Sequence, residues 1–275
     1  MPGKLSPRAD AHIHLFQHGF SGTKAAGAEL TTYIELRERY AIDEALVVGY
    51  EGDTRFAGNN DYVLELAATH PWIRPTLFLD PMRPPSPEQI ESDRAQGAVG
   101  YSIYLGSDPE LAGLIPTKTW DALSRARCIL SVNAAPEAVA GADTHLRDAS
   151  GAFILLSHLG LPGNLAGAPV LETQRRIAPI VRLADAPHVS VKLSGLYATD
   201  PDFPHTAAIQ AAQVLIEAYG PARMLWGSDY APGLSAVSDS ELFALPDIIR
   251  DELSESDCAL VLGGSLRSIL QETLA

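Results

Sequence analysis

Two periodicities alternate along nearly the whole of this chain, and no other feature restricts its fold as strongly. Short runs rich in β-branched and aromatic residues lie near 9–14, 44–50, 73–79, 99–105, 128–133, 152–158, 189–194 and 223–229, bounded by Gly, Pro, Asn or Asp. Between them lie stretches with apolar residues at helical spacing, such as LTTYIELRERYAI, NDYVLELAATH, VLETQRRIAPIVRLAD, TAAIQAAQVLIEAYG and SDSELFALPDIIRDEL. Several open with Ser, Thr, Asn, Asp or Pro, residues that cap or begin helices. Eight strand candidates, each followed by one helix, imply parallel strands joined by crossovers, which an α/β barrel of the (β/α)8 type satisfies by closure. A doubly wound open sheet competes with it, but no Gly-rich phosphate loop follows the first strand. The last stretch, LVLGGSLRSILQETLA, predicts a loop and a C-terminal helix packed over the barrel. No linker or shift of composition divides 1–275, so a single domain is expected.

Charge narrows the partners. The 34 acidic against 20 basic residues leave a net charge of −14, which opposes the phosphate neutralisation that drives nucleic-acid binding and disfavours anionic membrane surfaces. Neither nucleic acid nor membrane is expected as a partner. Cys128 and Cys258 sit in apolar settings and read as buried, reduced thiols rather than a disulfide framework. The opening MPGKLSPRAD carries no apolar leader core, and runs such as ALVV and FILL are too short to cross a bilayer, so a cytoplasmic location is expected. A homo-oligomer is compatible with this composition, as is a monomer.

In a barrel of parallel strands the active site gathers at the strand C-termini. Strand one ends in His12 and His14, two apart and therefore on one face. Strand five ends in Asn133, strand six in His158 and strand eight in Asp229, while strand seven carries Lys192 and Ser194 on the face opposite Val189, Val191 and Leu193. Imidazole and carboxylate suit a divalent ion such as zinc, which acidifies a bound water and polarises a carbonyl. A His-x-His pair by itself is a weak signal; its company at other strand ends gives it weight. Lys192 reads equally as a snorkelling side chain at a barrel end or as a substrate ligand. His18, His70, His145, His188 and His205 fall in loops, in helices or before a strand and read as solvated or structural. Trp72, Trp120 and Trp226 read as packing residues.

The segments DAHIHLF, SHLGLPG, VKLSGLY, RMLWGSDYAP and VLGGSLRSIL, in that order, resemble the metal-dependent hydrolases of the amidohydrolase superfamily. The likeness spans essentially the whole chain and is greatest to the subgroup of 2-pyrone-4,6-dicarboxylate lactonase and sugar-lactone hydrolases. It implies a distorted (β/α)8 TIM barrel in which His12 and His14 match the first-strand pair and His158 the sixth-strand histidine. It gives Asp229 the place of the eighth-strand aspartate, the usual general base toward water. Two departures stand out. Asn133 occupies the place of a strand-five histidine, and GYSIYLG on strand four offers Ser102 and Tyr104 where a bridging lysine or glutamate would be needed for two metals. Ser102 also stands where related lactonases put a cation for a substrate carboxylate, which favours a neutral or differently decorated lactone unless Lys192 or Arg55 substitutes.

The resulting expectation is a hydrolase that opens a lactone or similar cyclic ester with activated water. Asp229 is the base; His12, His14 and His158, with Asp229, hold one divalent ion, zinc by donor type, or the histidines polarise the carbonyl without an ion. Lys192, Asn133, Tyr104, Ser102, Ser194 and Tyr197 shape the pocket for a small-molecule substrate. Two alternatives remain at this stage: a metal-dependent decarboxylase of the same superfamily, and a non-catalytic barrel that binds a small molecule through a relic site.

Overall fold

A computed structural model describes residues 7–275; the segment 1–6, part of the stretch read for a leader, lies outside the described residues. Its strands are β1 (Arg8–Ile13), β2 (Ile42–Val48), β3 (Ile73–Leu79), β4 (Gly100–Gly106), β5 (Ile129–Ala134), β6 (Phe153–Leu156), β7 (Val189–Leu193) and β8 (Met224–Trp226). All neighbours pair parallel in the order of the sequence, and a bridge between Ile13 and Tyr230 closes the seam between the first and last strands. The expected (β/α)8 barrel is therefore the fold.

The helices are α1 (Ala28–Arg39), α2 (Asn59–Thr69), α3 (Pro87–Ala95), α4 (Thr117–Arg125), α5 (Pro136–Asp148), α6 (Val170–Arg182), α7 (Leu196–Thr199) and α8 (Thr206–Tyr219), followed by α9 (Asp239–Leu242), α10 (Asp247–Glu252), α11 (Glu255–Ala259) and α12 (Ser265–Leu274). Their starts follow local chemistry. Ser86 accepts the backbone N–H of Gln89 ahead of Pro87 in α3, and Ser238 with Glu241 forms a reciprocal capping box on α9. The stretch SDSELFALPDIIRDEL, expected as one helix, is split into α9 and α10. Pro246 lacks an N–H, and its ring cannot follow a helical turn.

Apolar side chains fall into two bodies. The larger fills the space between the sheet and the helices. The smaller lies inside the barrel, where Ala9, Ala11, Leu46, Val99, Ile129, Leu155 and Leu225 meet Leu266 and Leu270 of α12. The C-terminal helix thus stoppers the end of the barrel at which the strands begin. Above this plug the inward positions turn polar, so that along β5 Ile129 is followed by Ser131 and then Asn133. Cys128 is buried as expected, whereas Cys258 on α11 is partly exposed; both are free thiols. Among the described residues, no helix is long and apolar enough to cross a membrane.

Candidate functional site

The first strand is irregular where the site begins. Asp10 pairs with Ala45 but Ile13 with Val47, so β1 spends three residues where β2 spends two. This bulge re-aims the strand, and His12 faces the barrel interior although Ala11 beside it belongs to the inner plug. Asp10 secures the arrangement from behind: it accepts the backbone N–H of His12 at 3.1 Å, that of Ser228 at 2.9 Å and the Tyr33 hydroxyl at 3.1 Å. Gly227 leaves the room His12 needs, because a Cβ there would stand 2.9 Å from the His12 Cβ.

His158 and Asp229 lie just past the ends of β6 and β8 rather than within them. Both have left-handed backbones, with φ of 53° and 60°. Asp229 donates its backbone N–H to the His12 carbonyl at 2.8 Å across the seam. His12 Nε2 stands 3.1 Å from His14 Nε2 and 3.7 Å from Asp229 Oδ1, and the His12 and His158 rings are 4.5 Å apart. His14 Nδ1 donates to the Val48 carbonyl at 2.7 Å, and His158 Nδ1 shares a 3.0 Å hydrogen bond with Ser194 Oγ. Tyr197 donates its hydroxyl to Asp229 Oδ2 at 2.5 Å.

Burial dominates the electrostatics. It holds His12 well below the usual imidazole range, His14 at about 4 and His158 at about 3, so all three are neutral near pH 7. The contact between His12 and Asp229 is therefore not an ion pair. Burial raises the Asp229 carboxyl to about 6, against the opposing pull of His14, the Tyr197 hydroxyl and Lys192. It also pushes the Lys192 ammonium down to about 7.

The remaining sequence-derived residues divide between the pocket and its supports. Tyr104 faces the site from β4, its phenol raised by burial and, second, by the nearby Asp229 charge. Asn133 is half-buried at the end of β5, in register with Tyr104. Ser102 lies deeper, its hydroxyl given to the Gly49 carbonyl at 2.5 Å. Lys192 is wholly buried behind His12, 3.2 Å from its Nδ1 and 2.6 Å from Ser131 Oγ. Arg55 is engaged by Asp53 on an exposed turn.

Sequence reasoning did not single out Asp10, Ser131, Ser157 or, apart from Tyr104, the aromatic wall. From His14 that wall runs through Phe16 (5.7 Å), Phe56 (4.1 Å from Phe16), Tyr50 (5.7 Å from Phe56) and Tyr104 (4.6 Å from Tyr50). Asp10 did carry a signal, as a carboxylate in the apolar run ADAHIHLF. The other residues sit singly in loops or strands and form no pattern.

Donor atoms of His12, His158 and Asp229 lie within 4.8 Å of one another, a set of two nitrogens and an oxygen that fits one divalent ion; His14 stands outside this trio.

A family profile described as amidohydrolase matches residues 9–265. An amidohydrolase from Burkholderia multivorans, solved with bound HEPES, superposes with a TM-score of 0.83 at 19% identity, covering 97% of this chain and 99% of that one. The same protein was also solved with zinc (TM-score 0.79, 17% identity, 97% and 99% covered). A Pseudomonas putida protein assigned as a 2-pyrone-4,6-dicarboxylic acid hydrolase gives 0.77 at 19% identity, with 98% and 99% covered. No curated protein matches the chain.

Proposed function

Because the chain belongs to the amidohydrolase family, we propose that its barrel opens a lactone or similar cyclic ester with water, Asp229 acting as the base. The observation that carries this is the meeting of one ionisable carboxylate, raised to about 6, with three neutral imidazoles at the C-terminal end of the barrel. A carboxylate in that range is ionised near neutrality and still basic enough to take a proton from water. The water oxygen adds to the carbonyl carbon while its proton passes to Asp229. With the His14 proton given to Val48, an N–H of neutral His12 or His158 meets the carbonyl oxygen as it becomes negative. Collapse then breaks the ring C–O bond, and the leaving oxygen recovers the proton from Asp229. Tyr197 orients the carboxylate through its 2.5 Å hydrogen bond. A divalent ion held by His12, His158 and Asp229, zinc by donor type, would add Lewis acidity at the same carbonyl.

The aromatic wall suits a substrate with a planar or apolar face. The name of the Pseudomonas putida relative points to a lactone. In this chain, though, Ser102 is spent on a carbonyl and Lys192 lies behind His12, which supports a neutral ring over a dicarboxylate. The test is a panel of neutral lactones beside a dicarboxylated pyrone, run in 18O water before and after chelation and zinc re-addition. Label should enter the product carboxyl, and Asp229→Asn should lower turnover about 10²–10⁴-fold with the fold intact. Carbon dioxide release without label uptake points instead to the decarboxylase, and a fully active Asp229→Asn removes the base.

A further inference from the structure

His205, read from the sequence as solvated or structural, is buried and only half employed. It is 6% exposed, and its Nδ1 donates to the Asp200 carbonyl at 2.7 Å, while its Nε2 has no hydrogen-bond partner among the described residues. The ring borders a cavity of about 330 Å³ at the ends of β7 and β8. Leu193, Ile209, Trp226 and Leu242 give this cavity buried apolar walls, and Phe203 and Ile248, large apolar side chains left exposed, carry the lining out to the surface. Its charged residues are already engaged. Arg250 donates to Asp247 Oδ1 at 3.1 Å and to the Leu245 carbonyl at 3.0 Å, and Glu241 accepts the Ser238 backbone N–H at 2.8 Å. His12, His14, His158 and Asp229 do not line the cavity, although Ser194, hydrogen-bonded to His158, does.

We propose that this cavity is a second ligand site, one that takes an uncharged bicyclic aromatic molecule bearing a hydroxyl. Volume sets the size: an apolar cavity of about 150 Å³ holds benzene, and this one has roughly twice that room. The lining sets the polarity, because an ionised group carried in among Leu and Trp would find no free counter-charge and would lose its hydration. His205 sets the polar contact. A hydroxyl both donates and accepts, so it can pair with Nε2 while the rings cover the apolar walls.

Calorimetric titration with 2-naphthol tests the site on the unaltered protein, beside Ala244→Trp and His205→Asn. Ala244 is an exposed member of the lining, so Trp there puts a ring into the cavity without removing a buried contact. Asn tolerates the left-handed backbone at this position (φ 61°) while removing the ring nitrogen. 2-Naphthol is expected to bind the unaltered protein with a dissociation constant of about 1 mM or less. Binding should vanish in Ala244→Trp and weaken about three- to tenfold in His205→Asn, the worth of one hydrogen bond. 2-Naphthoate, the same rings with a carboxylate, should bind about tenfold or more weakly than 2-naphthol. No binding of 2-naphthol to the unaltered protein, undiminished binding in either variant, or tighter binding of 2-naphthoate overturns the proposal. A ring lodged instead against the aromatic wall beside His14 would leave both variants unchanged and so counts against it. Melting curves keep a folding defect separate; should His205→Asn fail to fold, Ala244→Trp and the naphthoate comparison decide.

Discussion

His158 and Asp229 share a backbone setting that few residues other than glycine adopt. Each left-handed residue costs on the order of 1–3 kcal/mol, a strain the surrounding structure must hold. Here the Asp229 backbone is tied to His12 and its side chain to Tyr197. The raised carboxyl has a kinetic consequence with a definite sign. As the proposed base, Asp229 would work as carboxylate, and its proton is lost as pH rises through about 6. Below that value kcat/KM should fall about tenfold per pH unit, and above it level off. His14 and His158, already neutral, add no limb above about 4, and burial holds His12 well below the usual imidazole range. A rate profile flat through pH 6 would rule Asp229 out as the base. The four strand-end residues were legible in the sequence because each closes an apolar run where a barrel collects its chemistry. Lys192 was legible as inward-facing, but not as the neighbour of His12, since that contact spans 180 positions and depends on Ser131 from a third strand.

At the scale of elements, the loop leaving β7 supports His158. Gly195 has φ of 59°, and a Cβ built on it would stand 2.5 Å from His158 Nδ1. Gly195→Ala should thus cost about 1 kcal/mol or more of stability through its backbone alone and, by displacing the ring, lower kcat further than the loss of stability explains. A variant with unchanged kcat would mean that the ring position does not matter. The eight strands were readable because period-two runs bounded by turn residues persist in any context, yet the bulge in β1 was not, since it arises from pairing with β2. The split of the eighth helical stretch was foreshadowed by Pro246 but masked by apolar spacing on either side. Beside these short helices, β7 and β8 border the cavity of about 330 Å³ lined by Leu193, Trp226, Phe203 and Leu242 and, toward His158, by its partner Ser194.

For the molecule as a whole, the barrel is sealed at one end and carries the candidate site at the other. Leu270 of α12 is 2% exposed and packs into the inner plug. Leu270→Ala should destabilise the fold by about 2–5 kcal/mol, measured by urea unfolding, while KM stays the same because the strand C-termini lie at the opposite mouth. A shift in KM without loss of stability would contradict this division of labour. The seam carries a consequence of its own. Ser228 reaches Asp10 across 218 positions, and Asp229 meets His12 at the same junction, so the proposed base and the histidine it faces come from the last and first strands. If Asp229 is the base, activity requires the eighth strand to be docked on the first, so recovery of activity on refolding would report closure of this seam.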